Sequence, residues 1–226
     1  MKTTMKTTMK TTMKTTMKTK LFLSMLTIAI GFTACKKDSP DPVVDTIITE
    51  TVTEFGYHAE PTMTQFGPVY TGDYTKFSFS EGGQVEGDDW DIAFRSTHII
   101  VNGGVASSDT SEPSRSSGNA AIYIIDNVMA DVTSVDTSLL MQDGELSSAI
   151  INDLGVGADG GPGVWCEYAN QIVTPISGKI LVIRTHDNKY AKMEITDFYD
   201  TDPAHIYGGF YTFNYVYQSE EGNTTF

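Results

Sequence analysis

The 226-residue chain has only two cysteines, Cys35 and Cys166, which excludes a disulfide-stapled scaffold. Basic residues are few. Fifteen Lys and Arg stand against 29 Asp and Glu, a formal net charge of −14. Such a field repels phosphate backbones and anionic lipid headgroups, so nucleic acid is not an expected partner. No apolar run approaches the ~20 residues that a membrane-spanning helix needs. Helical periodicity is scarce as well. The best stretch, 138–154, is interrupted by Gly144, which leaves at most a short helix over 145–154. Catalytic patterns are missing too: there is no Walker lysine, no His-Glu-x-x-His and no calcium loop. A literal GxGxxG spans Gly155 to Gly160, but Gly161-Pro162-Gly163 follows, where no helix N-terminus can form to meet a pyrophosphate. Cys166, beside Trp165 in an apolar segment, reads as a buried, inert thiol. The expectation is a protein that is not an enzyme.

What is present begins with a tandem repeat. Met1-Lys2-Thr3-Thr4 recurs from Met5, Met9 and Met13, and nothing in it can build a core. Met17 can serve as the start, in which case 1–16 is an extension. The apolar run 21–32 follows, with the length of a secretory h-region. It leads to Gly31-Phe32-Thr33-Ala34-Cys35, which resembles a bacterial lipobox, although Phe32 is bulkier than the leucine usual at that place. The resemblance implies a signal peptide over 1–34, diacylglycerol on the Cys35 thiol and an acyl chain such as palmitate on its new amine. Several chains give stable anchoring where one is marginal. The expected location is the outer membrane, lipid-anchored, at the cell surface or the periplasmic face. Residues 35–45 are polar and Pro-rich and read as a tether. Six of the 15 basic residues lie in 1–34 and every acidic one lies beyond. The 192 residues from Cys35 onward therefore carry nine basic and 29 acidic groups, a charge of −20.

Residues 46–226 read as one all-β domain, rich in antiparallel sheet, with long loops. The segment 46–53 is rich in Ile, Val and Thr. Segments 76–80 and 90–95 alternate, and 98–101 runs into the turn chemistry of Asn102-Gly103-Gly104. Apolar runs over 120–125 and 179–185 have strand length. Segment 189–196 places Ala191, Met193 and Ile195 on one face and Tyr190, Lys192 and Glu194 on the other, and it pairs with 179–185 as a hairpin. The last strand, 210–217, carries Tyr211, Phe213, Tyr215 and Tyr217 at period two, with bulk on its second face, as a central strand requires. Segments 107–119 and 155–163 read as mobile loops. The acid clusters Asp88-Asp89 and 197–202 read as solvated turns.

Asp89-Trp90-Asp91-Ile92-Ala93-Phe94-Arg95, followed by Val101-Asn102-Gly103-Gly104, resembles the HmuY family of secreted haem-binding lipoproteins. Lys189-Tyr190-Ala191-Lys192-Met193-Glu194-Ile195 with Phe198-Tyr199, and Gly209-Phe210-Tyr211-Thr212-Phe213-Asn214-Tyr215, agree with the same family. The resemblance covers roughly 46–218. It implies an all-β domain that grips one haem, haem b, between loops with two side chains on the iron. It also implies work alongside a TonB-dependent outer-membrane transporter in taking haem or porphyrin, from haemoproteins among other sources, for iron acquisition. Axial ligands come from His, Met, Cys or Tyr. The candidates are His58, His98, His186, His205, Met63, Met129, Met141 and Met193. Where some members carry an axial histidine, this chain has Asn170, a poor ligand, with Tyr168 beside it offering a phenolate. Met141 is the soft donor in the other ligand segment. The expected haem contacts are therefore Met141, Tyr168 and Asn170, with Met141 on the iron. His98 and His186 read as structural or solvent-exposed. The alternative is a binding module for a glycan or a partner protein on the same scaffold.

Overall fold

The computed structural model describes residues 46–56, 61–65, 67–106, 111–115, 118–144 and 165–226. The lipobox with Cys35, His58, the short helix expected over 145–154 and the glycine-rich stretch 155–163 lie outside the described residues.

Thirteen strands follow one another among the described residues: β1 (Ile47–Gly56), β2 (Thr62–Thr64), β3 (Gly67–Val69), β4 (Thr75–Ser78), β5 (Gly83–Gln84), β6 (Ile92–Arg95), β7 (His98–Val101), β8 (Ala121–Asp126), β9 (Cys166–Ala169), β10 (Ile172–Pro175), β11 (Lys179–Arg184), β12 (Tyr190–Asp197) and β13 (Phe210–Gln218). Among the described residues the only helical element is a 3₁₀ turn at Met129–Asp131. The main sheet has the order β1-β13-β12-β11-β8 and a second sheet the order β5-β4-β6-β7; β2–β3 and β9–β10 are separate hairpins. Every strand pair is antiparallel. The all-β, antiparallel expectation holds, and so do the 179–185/189–196 hairpin and the central position of the last strand.

Aromatic rings hold the two larger sheets together. Period-two spacing puts Tyr211, Phe213, Tyr215 and Tyr217 on the inner face of β13, all fully buried. They meet Phe77, Phe79 and Phe94 of the second sheet, with Phe55 of β1 closing the cluster. Phe77 lies edge-on to Phe213 at 5.3 Å and to Phe55 at 5.2 Å, the geometry that ring quadrupoles favour. Ala191, Met193 and Ile195 of β12 join the same core.

The opposite face of β12 is covered too. Tyr190 and Lys192 are buried, because segment 128–140 and Phe226 fold over that side of the sheet. The Lys192 ammonium donates to the Met129 and Val132 carbonyls at 2.9 and 2.8 Å and lies over the Phe226 ring. Its burial lowers its pKa. The alternation of apolar and polar residues thus hides a second, smaller core.

The Asn102-Gly103-Gly104 stretch is a place of close approach. The β6–β7 hairpin is closed instead by Ser96, in a left-handed conformation, and Thr97. A Cβ on Gly103 would stand 2.0 Å from the Ala120 carbonyl, and one on Gly104 2.1 Å from the Asp143 carbonyl, so only glycine fits. The Asn102 amide donates to the carbonyls of Asp88 and Trp90. Loop segment 111–115 is likewise anchored where mobility was expected. Arg115 is buried, its Nε donates to the Val101 carbonyl at 2.9 Å and its guanidinium pairs with Asp143 at 2.9 Å.

Candidate functional site

The β9–β10 hairpin carries Tyr168 and Asn170. Its two-residue turn is Asn170 and Gln171, with φ of 53° and 66°. Such a turn matches strand twist and favours asparagine, so the backbone alone accounts for Asn170, whose side chain is exposed. The hairpin is rooted by Trp165. This indole is buried against Tyr211 and Phe198, ring centroids 5.4 and 5.7 Å away, and donates to the Thr97 carbonyl. Cys166 is fully buried, as its apolar setting predicts, and Val173 packs beside it. The Val173 N–H donates to the Tyr199 hydroxyl at 2.9 Å. Tyr168 pairs opposite Val173, yet it reaches beyond the core and is 39% exposed; Ile172, on the hairpin's other face, is 54% exposed.

Tyrosines of three other segments are linked to the hairpin electrostatically: Tyr70 and Tyr199 to Tyr168, and Tyr207 to Tyr70. Burial pushes the Tyr70 phenol up, a hydrogen bond with Ser96 opposes this, and the phenols of Tyr168, Tyr199 and Tyr207 add to it. Burial also raises Tyr199, with the Val173 N–H opposing and Tyr168 adding. Tyr168, Tyr70, Tyr199 and Tyr207 thus come from the hairpin, the residue after β3, the turn after β12 and the loop before β13, and their phenols are linked electrostatically. Tyrosines offer flat apolar walls with polar tips, and a phenolate is a hard anionic donor suited to ferric iron. Tyr70, Tyr199 and Tyr207 are not among the haem contacts the sequence suggests; they lie outside the strands, where no periodicity marks a face.

Met141 stands elsewhere. Its backbone exchanges two hydrogen bonds with Ile122, extending the main sheet past β8, and its side chain packs on the core. Two residues on, Asp143 accepts from Val101 N–H at the end of β7, whereas Trp165 bonds Thr97 just before the start of that strand. Four residues of strand, about 13 Å, separate those two anchor points. The described contacts bring Tyr168 and Asn170 together and leave Met141 at the other end of β7.

The other donors are dispersed. Met193 is in the core and Met63 is exposed on β2. Met129 belongs to the 3₁₀ turn beneath Lys192. His98 begins β7 and is partly buried. His186 bonds Asp91, the structural role expected of it. His205 Nδ1 donates to Asp200 Oδ2 at 2.6 Å, and its ring stacks on Phe210. Carboxylates in 197–202 cap their own turns: Asp197 accepts from the Phe198 and Tyr199 N–H groups, and Asp200 from that of Asp202.

Comparison with known proteins adds the following. No curated protein sequence matches the chain. Solved structures similar to it include a candidate HmuY-like haem-binding protein from Bacteroides vulgatus (15% identity, TM-score 0.41, 77% of this chain and 93% of that one). A candidate lipoprotein from Bacteroides fragilis is 16% identical, with TM-score 0.40 over 79% of this chain and 92% of that one. The apo form of a HmuY analogue from Tannerella forsythia is 16% identical, with TM-score 0.39 over 77% and 97%. The family model described as HmuY protein matches residues 70–215, roughly two thirds of the sequence and nearly all of the two-sheet core, including the Asp89-Trp90-Asp91 and Asn102-Gly103-Gly104 motifs; the chain belongs to the HmuY family.

Proposed function

We propose that this protein binds haem or a related porphyrin, haem b in the first instance, at the hairpin end of the domain, as a lipid-anchored outer-membrane protein serving iron acquisition. Membership of the HmuY family, one of whose solved relatives is described as haem-binding, supports the ligand class. The observation that carries the location is Tyr168, an exposed aromatic on a hairpin rooted in the core, its phenol linked electrostatically to those of Tyr70 and Tyr199. In this reading the Tyr168 phenol oxygen serves ferric iron, the neighbouring tyrosines wall the macrocycle, and Asn170 sets the turn. Met141 is the second candidate donor. Its packing on the core makes it the poorer one, since it must leave that packing to reach a ligand. Supply to a TonB-dependent transporter and anchoring through Cys35 complete the proposal. The lipobox at 31–35 and the linker after it support them.

The test is an absorption titration of the domain with ferric haem and, separately, with metal-free protoporphyrin. Saturable binding of ferric haem with a shifted Soret band supports the proposal. Binding of both with similar affinity supports a porphyrin slot without an iron ligand. Binding of neither overturns the proposal in favour of a module for another ligand.

A further inference from the structure

Away from the tyrosine cluster, one buried carboxylate joins the two larger sheets. Asp91 precedes β6 and is almost fully buried. Its Oδ2 accepts from the Phe79 N–H at 2.8 Å, in the second sheet's own chain segment. Its Oδ1 reaches across to the β11–β12 turn of the main sheet, where the His186 N–H lies at 2.9 Å and the His186 Nδ1 at 2.7 Å. The same turn accepts a hydrogen bond from Asn119 N–H at the His186 carbonyl. We infer that His186 and Asp91 form a proton-dependent clasp between the sheets, closed most firmly when the imidazole is protonated.

The surroundings favour the cation. Asp89 Oδ1 lies 3.9 Å from the Nε2 of His186, and Asp187 neighbours it in the turn. Lys189, beside the turn's carboxylates, is engaged 2.7 Å from Asp187. The Tyr217 phenol of β13 faces Lys189, Asp187 and Asp91. Arg184 of β11 is held by the Asn119 carbonyl and side-chain oxygen. Three carboxylates therefore surround an imidazole that is partly shielded from water. The Asp91 hydrogen bond raises the His186 pKa, burial opposes it, and the charges of Asp91, Asp187 and Asp89 add to it. The charge-assisted bond is the stronger form. A histidine pKa raised by folding contributes stability that is complete below its unfolded value, about 6.5, and is lost as pH rises through the folded value.

The direct test follows the His186 imidazole by NMR in the intact domain, together with hydrogen exchange at the Phe79 and His186 amides. His186 should titrate above the ordinary histidine value. Protection of both amides, corrected for intrinsic exchange, should fall several-fold from about pH 6 to about pH 9. In His186→Gln the Phe79 protection should be lower at acid pH and nearly independent of pH. His205→Gln, which removes the separate His205–Asp200 pair, should keep the wild-type dependence. A His186 titration at or below the ordinary value overturns the clasp, whether or not the variant folds. So does a Phe79 pH dependence that is the same in wild type and His186→Gln.

Discussion

At the scale of single residues, Asp143 and Arg115 show how a buried ion pair can stand in for a missing strand. Val101 is at the open edge of the second sheet, and its N–H and C=O are taken by Asp143 Oδ2 and Arg115 Nε. The guanidinium also holds Glu112 at 2.7 Å, while Asp143 Oδ1 is buried without a partner among the described residues. Burial pushes the Asp143 carboxyl up to about 6, with the Val101 N–H and the Arg115 guanidinium opposing. The folded state thus holds this proton more tightly than the unfolded chain does. Its contribution to stability falls as pH rises from about 4 to about 6. Arg115→Met should cost ~3–5 kcal/mol at neutral pH, because it leaves a buried carboxylate without its counter-charge. Urea denaturation should show that deficit shrinking below about pH 6, where Asp143 takes up its proton. Asp143→Asn should cost only ~1 kcal/mol, since the amide oxygen still accepts from Val101 and Glu112 still neutralises Arg115. None of this was legible beforehand. Arg115 sits in a serine-rich segment without apolar residues, and composition alone makes such a segment look free.

At the scale of elements, period-two patterning was a reliable guide wherever a strand faced the main core. Tyr211, Phe213, Tyr215 and Tyr217 were readable as one buried face, and the structure buries all four. Phe213→Ala should cost ~3–5 kcal/mol, because its ring meets Phe55, Phe77, Phe94 and Tyr215 and the rings around the resulting cavity can collapse only partly. An unchanged urea midpoint would contradict the packing. Patterning alone did not reveal the second core on the outer face of β12, where the long apolar stem of Lys192 and its two carbonyl acceptors let it pack under Phe226. The hairpin β9–β10 was legible in part. Trp165 and Cys166 marked an apolar strand, whereas no sequence signal marked Asn170 and Gln171 as the left-handed pair of a two-residue turn. Cys166, fully buried, should resist a thiol reagent in the folded domain and react once it is unfolded in urea.

At the scale of the whole molecule, the acidic charge and the lipobox-like segment ending at Cys35 support the proposal of a protein tethered in an aqueous space. Intact-mass analysis of membrane-extracted protein should find lipid on Cys35, and Cys35→Ala should leave the chain without it. The family was legible from the Asp89-Trp90-Asp91 and Asn102-Gly103-Gly104 motifs, in which Asp91 is a buried staple between sheets and Gly103 and Gly104 are pressed against backbone. The site was less legible for the same reason that scaffolds carry varied functions, since its walls come from loops. The proposal that Tyr168 serves the iron is tested most directly by comparing haem titrations of wild type, Tyr168→Phe and Met141→Ala in the ferric and ferrous states. A phenolate donor predicts tighter ferric than ferrous binding in wild type, loss of that preference and at least a tenfold weaker ferric affinity (about 1.4 kcal/mol) in Tyr168→Phe, and no change in Met141→Ala. Ferrous-preferring binding that is abolished in Met141→Ala and unaffected in Tyr168→Phe would contradict it.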